Sequence, residues 1–320
     1  MDVLYFIVQL AIASAVPLAL VAFGALFAER SGVINIAMEG IMLMGGFLGA
    51  VMIVYLEGIG LAPQGIVMLA LLTGAIVGTL YSMLHAFASV SMKSDQIISA
   101  TALNLFAPAF AIFMARTYGA EGTRQITLGQ NYKIADVPVL SDIPFLGPML
   151  FQQAFLSTYV GILIFVVSYL VLYKTRFGLR LRACGENPSA ADSVGINIYR
   201  MRYAGVMISG ALAGMGGVIF VLSFANTFGA SVNGFGFLAI AVLIFGQWKP
   251  RRIILAASFF GMMRVIASAY DAIPFLSGLG IPREIYSITP YVATLIVLAF
   301  VSKTSAAPRT AGQPYDAGKR

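Results

Sequence analysis

"RACGENPSAADSVGINIYRMR", Arg182 to Arg202, carries three arginines, two acids and its own helix punctuation in the middle of a chain that is almost continuously apolar on both sides. Asn187 is a favoured N-cap, Pro188 suits the first helical position, and Gly195 can end a helix in the left-handed conformation. The spacing predicts a helix of about two turns, Pro188 to Val194. So short a helix is not stable alone in water because nucleation is costly, and something must pack against it. Ala190, Ala191 and Val194 give it a small apolar side, while Ser189, Asp192 and Ser193 stay polar. That side suits a groove on a partner protein. Helices that lie on a membrane surface carry larger apolar residues and basic residues of their own.

Outward from this segment the composition sets the class. Of 320 residues, 59% are hydrophobic and 10% charged, with a mean hydropathy of +0.89, whereas soluble domains are about one quarter charged. This is the composition of an integral membrane protein embedded in a lipid bilayer. Uncharged runs of helical composition fall at about 3–28, 40–56, 66–92, 96–115, 152–173, 203–228, 235–248, 253–270 and 285–301. The seventh is short for a span, Pro108 interrupts the fourth and Arg264 the eighth. Short or broken spans are common where unwound backbone lines a cavity. The expected fold class is an all-α polytopic membrane bundle of about 8–10 transmembrane helices, some short or broken. It forms one domain over residues 1–301, followed by a disordered cytoplasmic tail over 302–320, whose composition is small and polar.

The net charge of +7 points to membrane-flanking loops rather than to nucleic acid. Laid on alternate sides of the nine runs, fifteen of the twenty basic residues fall on the side of the 182–202 segment and of the tail, four fall on the other, and Arg264 lies within a run. By the positive-inside rule the first side is cytoplasmic; an odd number of spans then puts the N-terminus outside, an even number inside. The longest external loop, about 116–151, has room for a short helix near "DIPFLGPMLFQQ". Glycines recur four apart at Gly45 and Gly49, Gly74 and Gly78, and Gly210 and Gly214, spacing that lets helix backbones pack closely within one bundle.

Several chemistries are excluded. No G-x-x-x-x-G-K-[ST] phosphate loop occurs, so this chain cannot power anything with ATP by itself, and no cofactor bound by this chain is expected. The single cysteine, Cys184, forms no intramolecular disulfide and no thiolate metal cluster. The single histidine, His85, has no catalytic companion at useful spacing and reads as a packing or pore-lining residue. Neither H-E-x-x-H nor G-x-S-x-G is present. The ionisable groups on or near spans are Glu39, Asp271 and Arg264, a thin supply for an ion-coupled carrier. A second segment, "ERSGVINIAMEG" from Glu29 to Gly40, joins the first two runs and reads on its own as a short interfacial connector.

At these two segments the sequence resembles the membrane-spanning permease subunits of bacterial ATP-binding-cassette importers, in the group that handles ribose-like sugars and nucleosides. "KTRFGLRLRACGENPSAADSVGINIYRMR" resembles that group's cytoplasmic coupling loop, residues 174–202, and "ERSGVINIAMEG" is similar to the segment after the first span in its nucleoside branch. The resemblance runs through roughly residues 10–300. It implies a nucleoside importer subunit in the bacterial inner membrane, paired with an identical or homologous permease. Two cytoplasmic ATPase subunits would carry ATP and magnesium, and an extracytoplasmic binding protein would deliver the solute. Pro188, Ala190, Ala191 and Val194 would belong to the coupling helix; Gly185, Asn187, Gly195 and Ile196 would fix its shape; Arg182 and Glu186 would make polar contacts. For the solute path the polar candidates on or near spans are Asn35, Glu39, Asn104, Asn226 and Asn233, with hydrogen bonding between helices an equal alternative for the amides. A simple-sugar permease and an ion-coupled carrier stand as the rival readings.

Overall fold

The structure, a computed structural model, describes residues 2–118, 125–224, 227–268, 282–301 and 306–316. Its helices are α1 (Asp2–Arg30), α2 (Met38–Ile59), α3 (Pro63–Ala86, prolonged by a π turn, Phe87–Ser91), α4 (Gln96–Tyr118), α5 (Leu156–Lys174), α6 (Arg176–Glu186), α7 (Pro188–Ser193), α8 (Ile198–Phe224), α9 (Phe235–Phe245), α10 (Pro250–Ser268) and α11 (Arg283–Val301). Among the described residues six helices, α1 to α5 and α8, are long and apolar enough to cross a bilayer. Pro108 does not break α4, which runs through it.

The seventh run departs from a simple span. Its helix, α9, has 11 residues, about 16 Å at 1.5 Å per residue, roughly half of a bilayer core. The chain before it, over 227–234, is not helical. A left-handed Gly234 at φ +76° turns it into α9. Backbone without helix at membrane depth survives only where protein or a cavity covers it.

The bundle is organised around α8, whose packing against α3, α1 and α2 is the most extensive in the molecule. Glycines make this possible. A Cβ on Gly74 would come within 2.8 Å of the Gly214 carbonyl oxygen, one on Gly78 would overlap the Gly210 carbonyl, and one on Gly45 would overlap the Gly214 backbone. All three glycine pairs of the sequence therefore meet partners inside one chain, with helix backbones in direct contact.

Two faces can be told apart by what meets there. On one, Glu57 at the end of α2 accepts hydrogen bonds from the backbone N–H groups of Gly129 and Gln130 and from the Tyr132 hydroxyl. There β1 (Ile126–Thr127) pairs with β4 (Thr227–Phe228), and β2 (Lys133–Asp136) with β3 (Gln152–Phe155). These short strand pairs qualify the all-α expectation. The short helix expected near residue 142 reduces to a single π turn, Gly147–Phe151, which feeds β3. On the opposite face lie Arg30, Glu186, Trp248, Lys93 and Asp316, joined by hydrogen bonds and ion pairs.

The tail corrects the sequence reading. Residues 306–316 are seated rather than disordered: Thr310 donates its backbone N–H to the Gly185 carbonyl at 3.1 Å, and Gly312 to that of Gly32 at 3.2 Å. Small polar residues gave little apolar anchor to read, because much of the anchoring is through main-chain groups.

Candidate functional site

The loop of Arg182 to Arg202 folds as its punctuation requires. Asn187 caps α7 by accepting from the Ala190 N–H at 3.0 Å, with Pro188 at the first position. Gly195, at φ +83°, closes the helix as its N–H and that of Ile196 reach back to the Asp192 and Ala191 carbonyls. The apolar side divides in two. Ala191 is buried at 4% exposure on a small cluster with Cys184 and Ile198, joined by Ile196, whereas Ala190 faces outward and Val194 is 74% exposed. The expectation that Ala191 belongs to an outward docking face is thus corrected: with only six residues, α7 needs Ala191 as its inward anchor. The surface left open is Ser189, Ala190, Ser193 and Val194.

The flanking residues are structural supports. A Cβ at Gly185 would overlap the Arg30 carbonyl, so α6 rests directly on the end of α1. Glu186 pairs with Arg30 at 3.3 Å. The Arg182 guanidinium lies 4.9 Å over the Tyr173 ring and bonds the Gly178 carbonyl, which turns it away from the open surface. Burial pushes the Cys184 thiol up to about 11 against the opposing pull of Arg202.

"ERSGVINIAMEG" is not an interfacial connector. Residues 31–37 between α1 and α2 run through the interior, with Ser31, Val33, Asn35 and Ala37 all buried. Lacking helix, this backbone is satisfied in part by side chains from two other helices, α3 and α4. Gln96 accepts from the Ile34 N–H at 2.7 Å. Asn104 accepts from Gly40 N–H at 2.8 Å and donates to the Ile36 carbonyl at 2.9 Å. His85 bridges the Ile34 carbonyl and the Ser99 hydroxyl, both at 2.9 Å; since a carbonyl only accepts, Nε2 donates to Ile34. Asn35 donates to Ser209 and accepts from Ala37. The amides of Asn35 and Asn104 are therefore spent on the chain itself.

The two glutamates that bound the connector take hold of α9 at its two ends. Glu39 accepts from the N–H groups of Gly234 (2.9 Å), Gly236 (2.7 Å) and Phe237 (3.3 Å), so that a carboxylate closes the N-terminus of a broken helix. Glu29 accepts from the Trp248 indole, and the neighbouring Arg30 donates to the Trp248 carbonyl at 3.1 Å. Around the Glu39 end, Arg264 of α10 lies 4.7 Å over the Phe235 ring and hydrogen-bonds Tyr291 of α11. Of the remaining path candidates, Asn233 is exposed at φ +51° with its side-chain oxygen on Ser231. Asn226 and Asp271 lie outside the described residues. The role of Glu39 as a cap nearly two hundred residues away had one sequence signal: the turn pair Asn233-Gly234 immediately before an apolar run.

Known proteins are similar to this chain in sequence over most of their length. Residues 7–299 match the family described as the branched-chain amino acid transport system / permease component. The chain belongs to that family. It is 39% identical over 300 residues to the nucleoside ABC transporter permease protein NupC of Lactococcus lactis, covering 93% of each chain. To the guanosine ABC transporter permease protein NupQ of Bacillus subtilis it is 37% identical over 322 residues, covering 100% of this chain and 99% of the other. TsgC13 of Haloferax volcanii, provisionally named a glucose ABC transporter permease protein, is 30% identical over 90% of this chain and 88% of its own. The protein is a multi-pass ABC transporter permease, a component that has no ATPase activity of its own. The ion-coupled carrier falls away among the rivals.

Proposed function

We propose that this permease imports nucleosides across a bacterial inner membrane, as a pair with an identical or homologous permease. ATP and magnesium are held by two cytoplasmic ATPase subunits, and an external binding protein delivers the solute. The observation that carries the substrate class is full-length identity of 39% and 37% to relatives named for nucleoside and guanosine transport, against 30% to the relative named for glucose. For the coupling role the support is geometric. The cap, the buried Ala191 anchor and the exposed Ala190 and Val194 make α7 a rigid knob on the face that carries most of the basic residues. For the solute path the support is the non-helical stretch 227–234 with exposed Asn233, ending at the Glu39 carboxylate.

Deletion of the gene in a strain without other nucleoside importers should abolish uptake of labelled guanosine, with excess unlabelled adenosine or uridine, but not ribose or glucose, competing in the intact strain. Undiminished uptake in the deletion strain, or competition by sugar alone, would sink the substrate class.

A further inference from the structure

The tail makes more contacts than a chain end needs. Thr310 binds the Gly185 carbonyl twice, through its N–H at 3.1 Å and its hydroxyl at 2.7 Å. Gly185 is the residue that rests on α1 and leads into the coupling helix. Two residues on, the Gly312 N–H binds the carbonyl of Gly32 in the buried connector. Next, the Gln313 carbonyl accepts from Arg202 of α8 at 2.8 Å. The Tyr315 ring meets Tyr199 edge-on at 5.9 Å and packs on the Cys184, Ala191 and Ile198 cluster beneath α7. Asp316 pairs with Lys93 at 3.0 Å. One short segment thus ties α6, the connector, α8 and the loop after α3.

Arg202 supplies the physical reason for this seat. It is 1% exposed, its Nε and Nη2 have no hydrogen-bond partner among the described residues, and the tail carbonyl is the acceptor its side chain does find. A buried guanidinium with so few partners is costly, so covering it with a main-chain carbonyl favours the seated tail. The strap also stands across a polar cleft of about 470 Å³ from Glu186, Asn187, Pro188 and Ser189 at the start of α7.

We infer that residues 308–316 are a positioning strap: they bind the coupling helix to the α1–α2 connector so that the two move as one body. This rests on the reading of α7 as the coupling helix. Without the strap, the polar and backbone ties from the α6–α7 loop to the connector region reduce to the backbone contact of Gly185 and the half-exposed Glu186–Arg30 pair, and exposed pairs contribute little.

The test uses the reconstituted transporter with its ATPase and binding protein. It compares a chain ending at Ser305, Gly312→Val, Thr310→Val and Thr310→Ser. Gly312 sits at φ +80°, and a Cβ there would come 2.8 Å from Ile34, so valine dislodges the strap without touching the bundle. Expected are unchanged co-purification with the ATPase and unchanged basal hydrolysis. Stimulation by the loaded binding protein should fall about tenfold in the truncated chain and in Gly312→Val, the scale of a coupling between sites. Thr310→Val should give a partial loss that Thr310→Ser restores. Full stimulation in both the truncated chain and Gly312→Val would overturn the inference; should the truncated chain fail to insert, Gly312→Val decides. If the wild-type complex responds to a loaded sugar but not to a nucleoside, the substrate reading fails, and the strap is judged with that sugar.

Discussion

Replacing Glu39 tests the central claim about the broken helix, that one carboxylate holds α9 to α2. Three backbone N–H groups at the start of α9 end on its two oxygens, donors that an uncapped helix N-terminus leaves without an intrahelical partner. In Glu39→Gln the amide oxygen can keep Gly236 and Phe237, but the NH2 group then faces the Gly234 N–H, donor against donor. One donor left unpaired costs about 1–3 kcal/mol, and loss of the charge at a helix N-terminus about 0.3–1 kcal/mol more. A loss of about 2–3 kcal/mol is expected. Glu39→Ala strands all three donors and should cost at least about 4 kcal/mol. It also removes the carboxylate that attracts Arg264. The assay is the temperature at which half of the detergent-solubilised permease leaves the monodisperse peak, read beside nucleoside uptake in cells. Glutamine should lower both, and alanine should lower both further. If Glu39→Ala keeps wild-type stability, the N–H groups have other partners and the capping account is wrong.

Two further predictions separate folding from docking at the coupling loop. Val194→Asp adds a charge to a 74% exposed side chain, so permease yield and melting should hold while ATPase association weakens. Ala191→Asp buries a carboxylate where exposure is 4%, costing several kcal/mol, and should unfold the loop itself; equal behaviour of the two variants in a proteolysis assay of residues 180–200 would contradict the division. Cys184 reports on the same cluster. Burial raises its thiol from about 9 to about 11, so the fold favours the neutral form. That contribution is complete below pH 9 and is lost as pH rises through 11. Iodoacetamide should accordingly label folded permease slowly at pH 8, and labelling as fast as in a denatured sample would show that the loop opens freely.

What could be read from the sequence was local. Asn187, Pro188 and Gly195 announce α7 because capping acts over three or four residues, and the glycine pairs announce close helix contact because each needs only a four-residue spacing. What could not be read was long-range. Whether Ala191 or Val194 turns inward depends on Cys184 and Ile198 meeting beneath the helix. The connector looked like a short surface link because its buried backbone is satisfied by Gln96, Asn104 and His85, none of which is near it in sequence. The tail looked disordered because many of its ties run through main-chain groups of Thr310, Gly312 and Gln313, which leave no mark on composition, and the partners of its side chains, Lys93 and Tyr199 among them, are distant in sequence.

The same long-range bonds would give the proposed coupling loop a route to the membrane interior. The Glu29–Gly40 segment holds α9 at both ends: Glu29 and Arg30 take Trp248 beyond its C-terminus, and Glu39 takes its N-terminus. Between these holds, residues 31–37 are pinned by Gln96, His85, Asn104 and Asn35, so the connector has little slack to absorb a displacement. A shift of the Arg30 end therefore reaches α9 through two grips rather than one. Arg30 is also the residue against which Gly185 and Glu186 of the coupling loop rest. In the proposed coupling role, movement imposed on α7 would arrive at the non-helical stretch 227–234 ahead of α9, where Asn233 is exposed. A continuous helix in that position would have to move as a rod across the whole bilayer. A half-length helix held at both ends can instead shift the unwound backbone beside it, which is the part of the chain placed to open or close a path.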